Sequence, residues 1–385
     1  MAGIYIHIPY CKQACYYCNF HFSTSLKTKN DFVPALLKEM KMRQRYLEGE
    51  TIETIYFGGG TPSLLTHPEL TRIVSQLNED FPIAPDAEIT LEANPDDVSS
   101  SLIGSWKNAG INRLSLGVQS FFEEDLKWMN RAHNAEQARL AINMLQEAGI
   151  ENISIDLIYG SPTLDDAHWK ENVAQAFGLH IPHLSCYALT VEPKTALQKM
   201  IATKKTADVI PEDQARQFLL LMDWAAKAGY EHYEISNFAL PGKRSRHNTS
   251  YWQGKKYLGL GPSAHSFDGR SRQWNIANNI KYIKSLEASE LPYEKELLTR
   301  AQRLNEYIMT SLRTSEGLSL LIVENEFGVA ARGKIESNST SFLERSLLKN
   351  ENAGLILTKE GKLFADAIAA DLFFGEEDLP VYFRE

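Results

Sequence analysis

Short apolar runs alternate with amphipathic segments along the first two thirds of the chain. The runs are rich in β-branched and aromatic residues, which predicts buried strands. The segments between them carry apolar residues at a period near 3.6, which predicts helices. The predicted strands cover residues 3–7, 52–57, 88–92, 113–117, 152–158, 183–189 and 233–238. The predicted helices cover residues 31–46, 69–81, 135–148, 169–177 and 211–228.

This alternation of strands and helices is typical of a parallel sheet assembled from βα units. Six or seven such units form a full or an incomplete (β/α) barrel, so the chain is predicted to belong to the α/β class. Barrels and open α/β sheets place their functional residues at the carboxyl ends of the strands. Polar and charged residues at those ends are therefore the candidates for a functional site.

The pattern changes after about residue 270. A long amphipathic helix is predicted over residues 297–312, followed later by a strand at 354–358, a turn, and a helix at 362–372. This order predicts a small, mainly helical C-terminal domain that is similar to a winged helix. The sequence thus predicts two domains, a (β/α) barrel over residues 1–270 and the small domain over residues 271–385.

Composition and charge narrow the functional class. The 385 residues are 43% hydrophobic and 23% charged, as in a folded globular protein, and the formal net charge is −9. An acidic balance argues against nucleic-acid binding, which depends on a basic surface. The short basic cluster at residues 243–246 is either a solvated loop or a site for an anionic group. The sequence shows no signal peptide, no run long enough to span a membrane and few cysteines, so a cytoplasmic protein is expected.

Three of the four cysteines lie close together in the pattern C-x3-C-x2-C: Cys11, Cys15 and Cys18. Three thiolates can hold a cubane iron–sulfur cluster and leave one iron without a protein ligand, so that a small molecule can bind there. Two alternatives remain on spacing alone. One is a zinc site completed by His7 or His21, and the other is a disulfide that leaves one cysteine unpaired. The fourth cysteine, Cys186, lies in an apolar run and is expected to be a packed core thiol.

Glycines and charged residues follow several of the predicted strands. The glycine run 58–60 comes directly after the second strand, where glycine lets the backbone approach a ligand closely; a tight turn is the alternative. Glu92 closes the third strand. Asp156 lies inside an apolar run, where a carboxylate needs either a ligand or a structural ion pair. Gln119 follows the fourth strand, and Arg131 could clamp a carboxylate.

Together these motifs resemble the oxygen-independent coproporphyrinogen III oxidase-like family of radical S-adenosylmethionine (SAM) proteins over nearly the whole chain. The matching motifs are Y-I-H-I-P-Y-C from Tyr5, G-G-G-T-P from Gly58, Glu92, G-V-Q-S from Gly117, N-R ending at Arg131, and D-L-I-Y-G from Asp156. The resemblance implies one [4Fe-4S] cluster per chain, bound by Cys11, Cys15 and Cys18. It implies that SAM contacts Tyr5, Gly59, Glu92, Gln119, Arg131 and Asp156, and that Gly60 and Thr61 contact a second SAM, which some members bind.

Two departures separate the chain from the oxidases of that family. Their cysteine loop carries a further cysteine two positions after the third one, where this chain has Phe20. They also have a longer segment before the loop. Both departures argue against porphyrinogen decarboxylation.

A further motif, H-N-x-x-Y-W at residues 247–252, is similar to the haem-chaperone (HemW) branch of the family. Members of that branch bind haem and are thought to deliver it to target proteins. His247 could ligate the haem iron, and Tyr251 and Trp252 could pack on the porphyrin face. Arg244 and Arg246 could meet the haem propionates. The alternative is a loop histidine beside two core aromatic residues.

The function expected from the resemblance is that of a haem chaperone, which holds a [4Fe-4S] cluster and SAM, binds haem and delivers it to target proteins. The alternative is an oxygen-independent coproporphyrinogen III oxidase, whose activity is not expected here. A radical SAM enzyme with an unrelated substrate is a third hypothesis. The expected partners are haem, haem-accepting proteins and an electron donor for the cluster, with peripheral membrane association through the acceptors and no nucleic acid.

Overall fold

In the computed structural model, which describes residues 2–379, one mixed sheet carries most of the chain. Met1 and residues 380–385, at the outer limits of the two predicted domains, lie outside the described residues. The strands of this sheet are β1 (Ala2–Ile8), β2 (Ile52–Gly59), β3 (Ile83–Ala93), β4 (Arg113–Gln119), β5 (Ile153–Tyr159), β6 (His183–Ala188), β7 (Glu231–Glu234), β8 (Asn237–Ala239), β9 (Tyr257–Leu260), β10 (His265–Phe267), β11 (Ser271–Asn275) and β12 (Tyr293–Leu297). They pair in the order β12-β11-β10-β9-β1-β2-β3-β4-β5-β6-β8-β7.

Helices connect many of the successive strands. They are α1 (Lys29–Met42), α2 (His67–Asp80), α3 (Ser100–Asn108), α4 (Glu123–Trp128), α5 (Ala135–Glu147), α6 (Asp166–Gly178), α7 (Ala196–Ala202), α8 (Pro211–Lys227), α9 (Arg246–Trp252) and α10 (Asn279–Glu287). Most of these helices begin at a side-chain cap, as α2 does. There the Thr66 hydroxyl accepts a hydrogen bond from the Glu69 amide, and the Glu69 carboxylate accepts one from the Thr66 amide.

Strands β1–β6 run parallel, which confirms the α/β class and the incomplete (β/α) barrel. The apolar runs form strands because both faces of the sheet are buried. One face packs inside the barrel, and the other packs against the helices. On β1, Ile4, Ile6 and Ile8 are fully buried. The sheet does not close on itself among the described residues, since its order ends at β12 and β7. Parallel pairing brings the carboxyl ends of β1–β5 to one edge, where the candidate site lies.

The seventh predicted strand, residues 233–238, is not a further parallel unit. Strands β7 and β8 pair antiparallel with each other, and β8 pairs antiparallel with β6. The chain turns at this point because the buried Glu234 carboxylate accepts hydrogen bonds from the Ser236 amide and the Asn237 side chain. The prediction of one continuous strand was wrong here.

The barrel sheet also continues past the predicted boundary at residue 270. Strands β11 and β12 belong to it, helix α10 packs on the barrel core, and a separate hydrophobic core begins at Ala301. The domain change therefore lies near residue 298 and not at residue 270. The sequence pattern concealed this extension because every residue of β12 is exposed, so no alternation of apolar and polar positions marks it.

The C-terminal part consists of α11 (Arg300–Leu312), β13 (Leu318–Ser319), α12 (Leu320–Phe327), α13 (Val329–Glu344), β14 (Leu348–Glu351), β15 (Gly354–Leu357) and α14 (Ala365–Asp371). The three strands pair in the order β13-β15-β14. This order of helices and strands is that of a winged helix. Its core includes Leu304, Ile308 and Ile335, which are fully buried.

The C-terminal part is bound to the barrel by main-chain and ionic contacts. The Ile235 amide donates to the Arg313 carbonyl at 2.9 Å, and the Ser315 amide donates to the Tyr233 carbonyl at 2.9 Å. Arg272 on β11 forms a bidentate pair with Glu306 on α11, at 2.6 and 2.9 Å. These contacts fix α11 and the segment that follows it against the barrel. Among residues 2–379, no helix has the length and apolar character needed to cross a membrane.

Candidate functional site

The three clustered cysteines lie on a loop that follows β1. The loop is closed at its base, where the Cys11 amide donates to the Ser23 carbonyl at 3.1 Å and the Ser23 amide donates to the Pro9 carbonyl at 2.9 Å. A turn brings the Cys18 amide to 3.3 Å from the Cys15 carbonyl. All three thiols are free and half-buried. The loop therefore presents three thiols at the carboxyl end of the first strand.

Glycines at the end of β2 let this loop pack closely against the barrel. The Gly60 amide donates to the Ile8 carbonyl at 2.9 Å. A Cβ atom at Gly60 would lie 2.6 Å from the Tyr10 carbonyl oxygen, closer than real contacts allow. Gly59 has a φ of 107°, in the region that favours glycine. The glycine run is thus required by the backbone geometry beside the cysteines.

Two carboxylates from neighbouring strands face the same space. Glu92 on β3 accepts hydrogen bonds from the Tyr56 hydroxyl at 2.8 Å and from the Gly59 amide at 3.2 Å. Burial raises the pKa of Glu92 to about 7. Burial likewise raises the pKa of Asp156 on β5 to about 6. Raised carboxylate pKa values in a cleft are typical of groups whose charge is stabilised by a ligand.

Arg131 links the cysteine loop to the strand ends. Its guanidinium lies 3.2 Å from the Cys15 sulfur and donates to the Asn94 side chain at 2.6 Å and to the Gly117 carbonyl at 2.7 Å. Its Nε atom is buried without a hydrogen-bond partner. Beside it, Gln119 has a φ of 68°, a left-handed conformation that costs a non-glycine residue about 1–2 kcal/mol. Strain and an unpaired donor at one place are typical of a functional site.

These groups line a cavity of about 470 Å³, here called the cysteine cavity. Ten of the eleven residues predicted to bind cluster or SAM line it: Cys11, Cys15, Cys18, Gly59, Gly60, Thr61, Glu92, Gln119, Arg131 and Asp156. Tyr5 instead lines the neighbouring cavity described below, stacked on Tyr56. Sequence reasoning missed Asn94, Tyr17 and Tyr187, which also line the cysteine cavity. Asn94 could have been found, because it directly follows the third strand.

The zinc alternative does not fit this arrangement. His7 and His21 do not line the cysteine cavity but the neighbouring one described below. Both histidines are hydrogen-bonded, His7 to the His21 carbonyl at 2.8 Å and His21 to the Asn279 side chain at 2.7 Å. Among residues 2–379, no three Cys, His, Asp or Glu side chains are close enough together to bind one metal ion. A cubane does not require such a group, since each thiolate binds a different iron. The donor set therefore fits an iron–sulfur cluster.

The remaining cysteine belongs to the barrel core. Cys186 on β6 is 1% exposed, and burial raises the pKa of its thiol. A buried, protonated thiol is inert toward metals and oxidants. The four described cysteines contain no disulfide.

A second cavity, of about 750 Å³, lies between the barrel and the C-terminal part and is here called the aromatic groove. One wall is formed by α9 and the β10–β11 hairpin, and the other by α11 and α12. Its aromatic lining includes Tyr251, Trp252, Tyr257, Phe267, Tyr307 and Phe327. Phe20 lines both this groove and the cysteine cavity, and its side chain is 69% exposed. The two cavities are therefore neighbours that meet at Phe20.

His247, which the motif predicts as a haem ligand, does not line the aromatic groove. His247 lies on α9, not on a loop, and is 1% exposed. Its Nδ1 atom lies 2.8 Å from the Thr54 hydroxyl, its Nε2 atom lies 2.8 Å from the Tyr251 hydroxyl, and its ring stacks on Tyr56. Burial lowers the pKa of His247 to about 3. With both ring nitrogens engaged, His247 holds Tyr251 in place and offers no free atom to a metal.

The basic residues near His247 also point elsewhere. Arg244 pairs with Glu231 and Glu316, at 3.0 and 2.7 Å, and Arg246 pairs with Asp86. Both arginines border a smaller cavity beside Ala2, at the amino end of β1. Neither arginine lines the aromatic groove.

Comparison with known proteins agrees with the motifs. The family described as the radical SAM superfamily matches residues 5–176, and the HemN C-terminal domain matches residues 298–364. A relative from Bacillus subtilis named heme chaperone HemW is 31% identical over 98% of this chain and 100% of its own length. A relative of the same name from Escherichia coli is 35% identical over 76% of this chain and 80% of its own length.

A solved structure shows the same fold. Coproporphyrinogen III oxidase (HemN) from Escherichia coli, described as a radical SAM enzyme, superposes with a TM-score of 0.85. The match covers 97% of this chain and 90% of that one, at 23% sequence identity. At this identity the similarity concerns the fold alone.

Proposed function

Because the chain belongs to the HemW family of radical SAM proteins, we propose that it is a haem chaperone. It binds haem together with a [4Fe-4S] cluster and SAM, and it delivers the haem to haem-accepting proteins. The observation that carries this proposal is the pair of adjoining cavities. One is lined by three free thiols and the other by aromatic rings and histidines.

The cysteine cavity supports the cluster and SAM part of the proposal. Cys11, Cys15 and Cys18 would hold the cluster, which supplies an open iron and an electron when bound. Glu92 and Asp156 present two carboxylates to a cationic cofactor, and Arg131 is placed beside the Cys15 sulfur. A cavity of about 470 Å³ is of the size that encloses a small cofactor.

The aromatic groove supports the haem part. Haem is a flat, mainly apolar macrocycle with two carboxylates, and aromatic side chains that line a groove suit its faces. The volume of about 750 Å³ is of the size that encloses a large ligand. Haem-accepting proteins and an electron donor for the cluster are the proposed partners. The proposed location is the cytoplasm, with peripheral membrane association through the acceptors.

The fold similarity to the oxidase does not carry oxidase activity to this chain. Radical chemistry requires the target hydrogen to be held in close contact with the reactive carbon, and small misplacements cost large factors in rate. In this chain Phe20 places an apolar ring on the wall between the two cavities, where the oxidases have a cysteine in the loop.

One sample tests both functions. Anaerobically reconstituted protein is titrated with ferric haem while the Soret band is followed, and is then mixed with a haem-free acceptor protein. We expect saturable haem binding and transfer of haem to the acceptor. A coproporphyrinogen assay with SAM and a reductant on the same sample should give no protoporphyrinogen. Several turnovers per chain would establish the oxidase, and an unchanged Soret band would exclude the chaperone.

A further inference from the structure

The aromatic groove contains a histidine that no sequence motif marks. His265 begins β10 and lies opposite Trp274 on β11, with 6.2 Å between the ring centroids. Its side chain is exposed to the groove, while its neighbours Ala264 and Ser266 are buried. The backbone at this position is thus fixed by the sheet, and the imidazole stands at the groove surface.

His265 differs from the other histidines near the groove in its free nitrogens. His247 and His7 have both ring nitrogens engaged, and His21 has one nitrogen tied to Asn279. In the part of the chain that the structure describes, no hydrogen bond is made to the His265 ring. Burial and the nearby Arg272 lower the pKa of His265, which keeps the imidazole neutral at neutral pH. A neutral imidazole is the form that ligates iron.

The opposite wall of the groove carries a cation without a partner. Arg303 on α11 is exposed and lines the groove, and no described carboxylate pairs with it. Arg272, in contrast, is neutralised by its bidentate pair with Glu306, and Lys255 lies 3.3 Å from Glu53. Glu326 on α12 lies on the same wall as Arg303. The wall therefore favours an anion at Arg303 and disfavours one at Glu326.

We propose that haem binds in the aromatic groove with the His265 imidazole on its iron and with Arg303 facing a propionate. This assignment rests on the proposed haem-chaperone function and deepens it. It places the macrocycle between the β10–β11 hairpin and α11, with Tyr251 and Trp252 at its face. The H-N-x-x-Y-W motif then contributes its aromatic residues to the groove, while its histidine positions Tyr251 from behind.

The test uses full-length, cluster-reconstituted protein and ferric haem. His265→Ala should weaken haem binding by about tenfold or more and shift the Soret band, because a metal ligand is lost. Free imidazole should restore the wild-type spectrum of this variant. The matched control is His168→Ala, which removes an exposed histidine that lines neither cavity and should leave the spectrum unchanged.

A second probe separates the propionate contact from the iron ligand. Arg303→Gln should weaken the binding of haem by about twofold to fivefold, the range of an exposed ion pair. The same variant should bind haem dimethyl ester as tightly as the wild type does, because the ester lacks the carboxylates. Equal losses with both probes would overturn the assignment of Arg303.

The outcomes distinguish this inference from the proposed function. If wild-type protein binds no haem, the chaperone function fails and the groove assignment fails with it. If wild-type protein binds haem and His265→Ala gives the same spectrum and affinity, the assignment is overturned while the chaperone function stands. If His265→Ala is not folded by circular dichroism, His265→Gln replaces it, and imidazole rescue of its spectrum again supports the assignment.

Discussion

The cysteine cavity is formed at the carboxyl ends of consecutive strands, whereas the aromatic groove is formed by α9, the β10–β11 hairpin and α11–α12, which are far apart in the sequence. In the first, most residues lie near the carboxyl end of a strand or in the loop that follows it. In the second, the walls meet only because the C-terminal part packs on the barrel. A site of the first kind leaves an ordered series of motifs in the sequence, and a site of the second kind leaves only an isolated one, here H-N-x-x-Y-W.

The largest effect is expected from the cysteine loop. Replacing Cys11, Cys15 or Cys18 by Ala should reduce the iron content of anaerobically reconstituted protein from about four per chain to near zero, because each thiolate holds one corner of the cluster. Cys186→Ala, in the barrel core, should retain the iron. Stoichiometric zinc in anaerobically prepared wild-type protein would show that the cysteine cavity binds zinc and not an iron–sulfur cluster.

The carboxylates of the same cavity come next. Glu92→Gln and Asp156→Asn should weaken SAM binding to cluster-loaded protein by about tenfold or more, since each loses a charge-assisted hydrogen bond of about 1.5–3 kcal/mol. Glu234→Gln is the matched control, because Glu234 is buried with a pKa also raised to about 7 but lines neither cavity. Isothermal titration of SAM measures the effect. If the folded Glu92 and Asp156 variants bind SAM as tightly as the wild type, these residues have a structural role only.

A smaller effect should follow from pH. Lowering the pH from about 8 to about 5.5 should weaken SAM binding to the wild-type protein by up to about tenfold in total, because Glu92 and then Asp156 become protonated. Glu92→Gln should remove the step near pH 7. A pH-independent affinity would contradict the role of both groups.

The same pKa shift predicts the direction of the stability change in the ligand-free protein. The pKa of Glu92 is raised from 4.5 to about 7 by folding, so the folded state binds more protons than the unfolded state between these values. The contribution of Glu92 to the free energy of unfolding should therefore decrease as pH rises through that window. Denaturant titrations of wild type and Glu92→Gln at several pH values measure this contribution.

The smallest effect is expected at the basic cluster that the sequence offered for the propionates. Arg246→Ala should leave haem affinity within about twofold of the wild type, because Arg246 is exposed, pairs with Asp86 and lies at the amino end of β1. Ferric haem titration measures this. A tenfold loss of haem affinity would place the propionates at residues 243–246. Haem binding would then not be confined to the aromatic groove.

The sequence predicted the barrel and the cysteine cavity well because both depend on local patterns. The apolar runs of β1–β6 are long and buried, and Glu92 and Asp156 interrupt them in a way that is visible without coordinates. The SAM contacts of these residues remain predictions, although the structure brings ten of the eleven candidates to one cavity.

The aromatic groove could not be predicted because it depends on packing between distant segments. Strand β12 is entirely exposed, so no alternation of apolar and polar residues predicted the antiparallel extension of the sheet. His265 and Arg272 lie on this extension. The surroundings of His247 could not be predicted for a related reason. A motif shows that a histidine is present, but only the fold shows that Thr54 and Tyr251 occupy its two nitrogens.

Phe20 gives the two cavities a common boundary, and this has a thermodynamic consequence. A side chain that is 69% exposed has room to change its position when a ligand fills either cavity. If loading of the cysteine loop changes haem affinity by some factor through Phe20, then haem must change the affinity for the loop's ligand by the same factor. One exposed ring would then couple two binding equilibria, so that the state of the iron–sulfur site sets how firmly the cargo is held.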